Sequence, residues 1–182
     1  MKMRPLGTLV KHPVAFILIV LVLIFILLVS SKAAQAATMP PVQSILEVVD
    51  GNTLKVTTVE HDTFLVKLKG IDAPEPGQEF SNESKEYLQN LVNRKGVNIE
   101  YSGKDRWGNR LVNVTTKKGE SVNNLMLSEG YAWVDRFFLN QADLMTKQDE
   151  AKTKKYGLWN QEDPMEPWVY DRIQIRLNST GR

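Results

Sequence analysis

Apolar and polar positions divide the chain into one long apolar run and a region of short patterned segments. Residues 14–29 are apolar without interruption, whereas from residue 42 onward apolar residues recur at spacings of two or of three to four. A spacing of two is typical of a half-buried strand, and a spacing of three to four is typical of an amphipathic helix. The sequence therefore predicts one apolar helix followed by a domain of mixed strands and helices.

Five strands and three helices are predicted in the second region. Their order, three strands, a helix, two strands and two helices, is unlike a parallel α/β domain. It favours an α+β fold, mainly β, in which a five-stranded barrel of the OB type carries three packed helices. The predicted strands are 42–49, 53–59, 63–71, 97–102 and 110–116, and the predicted helices are 82–94, 121–129 and 139–155.

The apolar run predicts a transmembrane signal-anchor. Sixteen helical residues span about 24 Å, and the flanking residues of 13–31 bring the segment close to the ~30 Å hydrocarbon core. Lys2, Arg4 and Lys11 precede it, which indicates a cytoplasmic N-terminus and an exported domain. The expected organisation is a cytoplasmic basic segment 1–12, an anchor 13–31 in the inner membrane, a linker 32–41, a periplasmic or extracellular domain 42–171 and a tail 172–182.

A cleaved signal peptide is the alternative interpretation of the same run. Ala34-Gln35-Ala36 fits the small-x-small pattern of a cleavage site, although the run is longer than the 7–15 residues usual for such peptides. Both interpretations export the domain.

Composition and charge exclude several kinds of protein. The absence of cysteine excludes disulfide frameworks and thiol catalysis, and two histidines, His12 and His61, argue against a histidine-rich metal site. Four of the 23 basic residues lie in the N-terminal segment, whereas all 21 acidic residues lie from Glu47 onward, which leaves the domain near −2. Nucleic acid as a partner is thereby disfavoured, since such affinity comes largely from phosphate neutralisation.

Five motifs follow one another along the domain: VVDGNTLKV, VKLKGIDAPEP, KDRWGNRL, VNNLMLSEGYAWV and EAKTKKYGLW. In order and spacing they resemble the thermonuclease, or staphylococcal nuclease, family, and the terminal PMEPWVYDR resembles an extension common in its bacterial members. The resemblance covers about residues 43–172 and implies an OB barrel with three helices and calcium-dependent cleavage of DNA or RNA phosphodiesters.

The resemblance also implies which positions would perform that chemistry. The family's two metal carboxylates fall on Asn52 and Asp72, and its carbonyl ligand falls on Ala73. Its glutamate, the base or water-orienting group, falls on Glu75. Its two phosphate-clamping arginines fall on Lys67 and Asn109, and its two base-stacking tyrosines fall on Arg136 and Phe138.

Three of the five family positions for metal and catalysis therefore depart from the pattern. Asn52 lacks the charge that calcium affinity depends on, Lys67 lacks the planar fork of arginine, and Asn109 has neither fork nor charge. Arg110 is a possible substitute for the second arginine, but adjacent strand residues point to opposite faces. The sequence therefore predicts that the site binds no cofactor. If the domain is an active nuclease, the expected cofactor is calcium.

Three functions remain open from the sequence. The first is an impaired nuclease-like domain that acts as an accessory subunit of a membrane protein complex. The others are an active, anchored calcium nuclease and an exported nucleic-acid binder without catalysis. Trp107, Trp133, Trp159 and Trp168 are interpreted as packing residues rather than a stacking platform.

The tail has an alternation of its own. Ile173, Ile175 and Leu177 alternate with polar residues, which predicts a strand that docks on a sheet edge, with a frayed end as the alternative.

Overall fold

The computed structural model describes residues 13–36 and 39–180, and it contains two compact units, Met1–Met39 and Pro40–Arg182. Helix α1, Pro13–Ala36, is the described part of the first unit. The predicted cytoplasmic segment 1–12 lies outside the described residues, as do residues 37–38 of the predicted linker and 181–182 of the tail.

The apolar part of α1 whose side chains are described extends from Phe16 to Leu27, and these side chains are exposed. Over the described residues, no helix is both long enough and apolar enough to cross a membrane. The anchor stays a prediction from the sequence.

The second unit is a mixed α+β fold built on a five-stranded sheet. The strand order is β1-β2-β3-β6-β5, with β3 and β6 parallel and the other neighbours antiparallel. A separate two-stranded ladder joins β4 to β7. The strands are β1 Val42–Val48, β2 Thr53–Thr58, β3 Thr63–Leu68, β4 Ile71–Asp72, β5 Val97–Lys104, β6 Arg110–Thr116 and β7 Trp133–Val134.

Four α-helices and one short 3-10 helix accompany the sheet. The three predicted helices are confirmed as α2 Ser81–Lys95, α3 Val122–Ser128 and α4 Ala142–Lys154. A 3-10 helix, Gly157–Asn160, and α5, Pro167–Thr180, complete the unit. Ser121 caps α3 because its side chain accepts a hydrogen bond from the Asn124 N–H at 3.2 Å.

The core lies between the inner face of the sheet and helices α2 and α3. Alternate strand residues such as Val56, Val66 and Val112 are fully buried, and Leu88 of α2 and Met126 of α3 are buried with them. A second cluster of Trp133, Ala151, Leu158 and Trp159 joins β7 to α4 and the 3-10 helix. The predicted packing role of Trp133 and Trp159 is confirmed. Trp168 is partly buried and packs against the same cluster.

Residues 50–52 form the turn that connects β1 to β2. The Asn52 N–H donates to Asp50 Oδ1 at 2.9 Å, and the Val49 N–H donates to the Thr53 carbonyl at 2.9 Å. A Cβ at Gly51 would overlap Ser84 Oγ, so only glycine fits where the turn passes α2. The turn is thereby fixed against the helix, and Asn52 is held in a buried position.

The strand predicted for the tail is wrong. Residues 173–177 belong to α5, which begins at Pro167 and crosses the predicted boundary at 171/172. Three apolar positions two apart are too few to establish a strand, and the spacing of Ile173 and Leu177 fits a helix equally well. Ile175 lies 70% exposed, so the alternation marks no buried sheet face.

Candidate functional site

A pocket of about 330 Å³ lies at the ends of β3 and β4 and at the start of β6, beside α5. Its lining contains six of the nine predicted site residues: Asn52, Lys67, Asp72, Glu75, Asn109 and Arg136. The other three, Ala73, Arg110 and Phe138, are not among the lining residues. The family positions for metal and phosphate are thus largely brought together in one place.

Asn52 is the most constrained polar residue of the pocket. It is only 4% exposed, and its amide nitrogen donates to the Ile71 carbonyl and to Asp72 Oδ1, both at 3.2 Å. A carbonyl and an ionised carboxylate can only accept hydrogen bonds, so the amide must present its nitrogen to them. Its Oδ1 accepts from the Thr53 hydroxyl at 3.3 Å on the other side. A hydrogen-bond donor therefore faces Asp72 where the family pattern would place a second carboxylate.

Asp72 and Glu75 occupy an environment that disfavours their charged forms. Burial raises the pKa of Asp72 to about 6, with Asp135 and Asp171 adding to the shift and Lys67 opposing it. Burial also raises the pKa of Glu75 to about 7, and Asp171 is the next cause. Lys67 lowers the pKa of both carboxyls but does not compensate for burial and the neighbouring acids.

Asn109 is engaged by a neighbour within its own turn. Its side-chain amide donates to Asp105 Oδ2 at 2.7 Å, and its backbone N–H donates to Asp105 Oδ1 at 2.8 Å. These bonds, with one from the Trp107 N–H, lower the pKa of Asp105 although burial acts in the opposite direction. The amide of Asn109 is thus held by a carboxylate, where the family pattern would place an arginine for a phosphate.

Arg110 points away from this arrangement. Its guanidinium lies 3.9 Å from the ring centroid of Phe64, a cation–π contact. Asn109, which directly precedes β6, lines the pocket, whereas Arg110, the first residue of the strand, does not. As placed, Arg110 does not replace the second arginine.

The rim of the pocket carries a cluster of two aromatic rings and two arginines, which we call the arginine–aromatic cluster. Trp107 and Phe137 meet edge to face with centroids 5.2 Å apart. The guanidinium carbons of Arg106 and Arg136 lie 4.1 Å and 4.8 Å from the Phe137 centroid. Trp107 is 60% exposed, so the packing role predicted for this tryptophan is wrong.

Phe137 rather than Phe138 lines the pocket, because residues 135–138 form a tight turn. The Phe138 N–H donates to the Asp135 carbonyl at 2.7 Å, and the Phe137 N–H donates to Asp135 Oδ1 at 2.9 Å. The turn directs Phe137 outward, while Phe138 lies near Gly70.

Three acidic residues of the pocket were not predicted. Asp105, Asp135 and Asp171 join Asp72 and Glu75, so five carboxylates face two cations, Lys67 and Arg136, in the lining. Asp105 stands in the KDRWGNRL motif and could have been identified from it. Asp171 likewise stands in the PMEPWVYDR segment, and Asp135 directly follows the VNNLMLSEGYAWV motif and β7.

The residues present do not match the calcium site that the family resemblance implies. A hard cation requires several oxygen ligands, and the Asn52 atom beside Asp72 is a nitrogen that donates hydrogen bonds. Among residues 13–36 and 39–180, no group of three or more acidic or histidine side chains is arranged to hold a metal ion.

Comparison with known proteins identifies a family for the barrel-like domain. Residues 65–161 match the sequence model of the family described as staphylococcal nuclease homologue. An uncharacterized endonuclease of Escherichia coli O157:H7 is 34% identical over 126 residues, which are 69% of this chain and 82% of that protein. An uncharacterized endonuclease of Haemophilus influenzae is 34% identical over 74% of each chain, and a micrococcal nuclease of Shigella flexneri is 30% identical over 70% of this chain and 79% of its own.

The fold and pocket define a nuclease-like domain. This chain belongs to the staphylococcal nuclease homologue family, as the motifs of the sequence indicated.

Proposed function

We propose that this chain is a catalytically impaired member of the family that has kept its domain for binding. The observation that carries the proposal is the amide of Asn52, which donates to Asp72 from a buried position. The hydrogen bond lowers the pKa of Asp72, as a cation would, but an amide carries no net charge. A phosphodiester at this place would lack the charge of a bound cation, and only Lys67 and Arg136 of the lining would offset its own charge.

The remaining electrostatics support the same proposal. Lys67 keeps one charge where the family has an arginine, and the amide of Asn109 is held by Asp105. Loss of an arginine that stabilises a phosphoryl-transfer transition state costs on the order of 10³–10⁵ in rate. Five carboxylates against two cations in the lining add repulsion toward any phosphate.

We further propose that residues 13–31 anchor the chain in the inner membrane, with the OB-type barrel domain on the periplasmic or extracellular side. The sixteen-residue apolar run and the preceding basic residues support this arrangement. An anchored domain with a weakened site suits an accessory subunit of a membrane protein complex. Purification of the full chain from membranes in mild detergent, followed by identification of co-purifying proteins, tests the partner.

The catalytic part of the proposal is tested by a cleavage assay. The full chain in mild detergent is incubated with single-stranded DNA and calcium at mildly alkaline pH, beside an active family member. We expect negligible cleavage from the full chain and from Glu75→Gln. Robust cleavage that a chelator and Glu75→Gln both abolish would establish an active enzyme instead.

An active calcium nuclease is the second candidate. Asp72, Glu75 and Lys67 line the same pocket, and several relatives bear names of endonucleases or nucleases. A third candidate, a nucleic-acid binder without catalysis, is favoured by the exposed arginine–aromatic cluster, since bases stack on such rings. DNA binding without cleavage would support the third.

A further inference from the structure

Helix α5 places a carboxylate in the lining of the pocket. Asp171, in the second turn of α5, is exposed to solvent and belongs to the lining, as does Trp168 one turn earlier. The other lining residues come from strands, turns and loops earlier in the chain. The position of one C-terminal helix therefore decides whether this charge faces a ligand.

The start of α5 is attached to the segment that carries Glu75. The side chain of Gln78, only 7% exposed, accepts from the Glu75 N–H at 2.9 Å through Oε1 and donates to the Met165 carbonyl at 2.7 Å through Nε2. Pro167 is buried, and the Trp168 ring lies 6.2 Å from that of Trp133. Gln78 thus joins the Glu75 turn directly to the segment before α5, so Asp171 is held at a defined place.

The charge of Asp171 acts on the groups that would meet a phosphate. It contributes to the raised pKa of both Glu75 and Asp72, which are family positions of the site. A charge that disfavours two carboxylates in this pocket also disfavours a phosphate there, by the same Coulomb interaction.

We propose that Asp171, held over the pocket by the attachment of α5 through Gln78, is a specificity-determining residue that weakens binding of phosphate-bearing ligands. The inference rests on the proposed function, because it names a residue that lowers the affinity of this pocket for nucleic acid. It adds a determinant outside the positions that the family resemblance implied.

The test measures binding of a fluorescein-labelled single-stranded thymidine octamer by anisotropy. The full chain in mild non-ionic detergent is titrated in 50 mM salt with EDTA. For a separation on the order of 8 Å and an effective dielectric constant of roughly 40, removing one charge changes affinity about fivefold. We expect Asp171→Asn to bind about fivefold more tightly than the unmodified chain and Asp171→Arg to gain further. Both gains should shrink at 0.5 M salt because exposed charges are screened.

Asp163 supplies the matched control. It is an exposed acid just before α5 that lines neighbouring surface pockets but not this one. Asp163→Asn and Asp163→Arg make the same charge changes, and we expect each to change affinity less than the corresponding Asp171 variant. Equal affinities for the unmodified chain and the Asp171 variants, including binding by none of them, would overturn the proposal. Equal gains from the two positions would also overturn it, because they would reflect net charge alone.

The failure of this inference is distinguishable from failure of the proposed function. EDTA prevents calcium-dependent cleavage during the binding assay, so a tighter Asp171→Asn variant supports the inference whether or not the chain cleaves DNA in calcium. Cleavage in calcium, with no effect of Asp171 on binding, would contradict both independently.

Discussion

Replacing Asn52 by aspartate should make the stability of the domain depend on calcium. The Asn52→Asp change removes two buried hydrogen bonds, each worth about 1 kcal/mol. It also places a second carboxylate where the amide nitrogen now lies 3.2 Å from Asp72 Oδ1. At an effective dielectric constant of roughly 20, two charges at that distance repel by about 5 kcal/mol, and uptake of a proton limits the cost. We expect the variant to lose about 3–5 kcal/mol of unfolding free energy at pH 8 in EDTA.

Calcium should restore much of this loss. Paired carboxylates are hard-cation ligands, and a ligand at 100 times its dissociation constant stabilises the folded state by about 2.7 kcal/mol. The unmodified domain, with Asp72 facing an amide, should gain less than about 0.5 kcal/mol by the same relation. The difference between the two proteins in their response to calcium is therefore the quantity to measure.

The assay is urea unfolding of residues 40–182, the second compact unit, followed by tryptophan fluorescence in EDTA, in calcium and in magnesium. Asn98→Asp is the matched control, because Asn98 is exposed and lies opposite Thr115 rather than an acid. A loss below about 1 kcal/mol in EDTA would refute the reasoning from the two buried hydrogen bonds. Equal stabilisation of variant and unmodified domain by calcium would also refute it.

Two further predictions follow from the pocket and from α5. Because the pKa of Glu75 is raised to about 7, the folded state holds a proton that the unfolded state releases near pH 4.5, and stability falls as pH rises between these values. In EDTA, the unfolding free energy of the Glu75→Gln variant should therefore exceed that of the unmodified domain by about 1–2 kcal/mol at pH 8, allowing for solvent screening. Near pH 4.5 the two unfolding free energies should be equal. A difference between them that is independent of pH in urea titrations would contradict this prediction. Deleting residues 172–182 should leave the melting temperature nearly unchanged, since most of the described side chains in this stretch are exposed. The deletion should weaken retention in the proposed membrane protein complex. A large drop in calorimetric melting temperature would assign these residues to the core, and unchanged retention would show that they contact no partner.

Local pattern predicted the main sheet and three helices because those elements bury one regular face. Val56 and Val66 alternate with exposed residues along β2 and β3, and Leu88 and Leu91 follow the helical spacing of α2. The ladder of β4 and β7 has two residues on each side, which is too short for any period to appear. The strand prediction for the tail was wrong for a related reason. The two-residue spacing of Ile173, Ile175 and Leu177 arises by chance in a short segment.

The site residues also include some that the motifs identified and others that the motifs did not. Asn52, Asp72 and Glu75, which the motif register assigned to one site, do line one pocket, and their roles there stay a prediction. The turn closed by Asp135 exchanged Phe138 for Phe137, a difference of one residue that register cannot resolve. Asp171 stands in the PMEPWVYDR segment, but its place in the pocket depends on contacts of Gln78 and Trp168 with distant parts of the chain, which the segment alone does not reveal.

The most direct test of the central claim is to restore the departed positions together. The cleavage rate of single-stranded DNA in calcium is measured for the unmodified chain and for the triple variant Asn52→Asp, Lys67→Arg, Asn109→Arg, with Glu75→Gln in each background as control. We predict negligible cleavage by the unmodified chain and calcium-dependent cleavage by the triple variant that Glu75→Gln abolishes. Cleavage by the unmodified chain at the rate of the triple variant, lost in Glu75→Gln, would contradict the claim that this site is impaired.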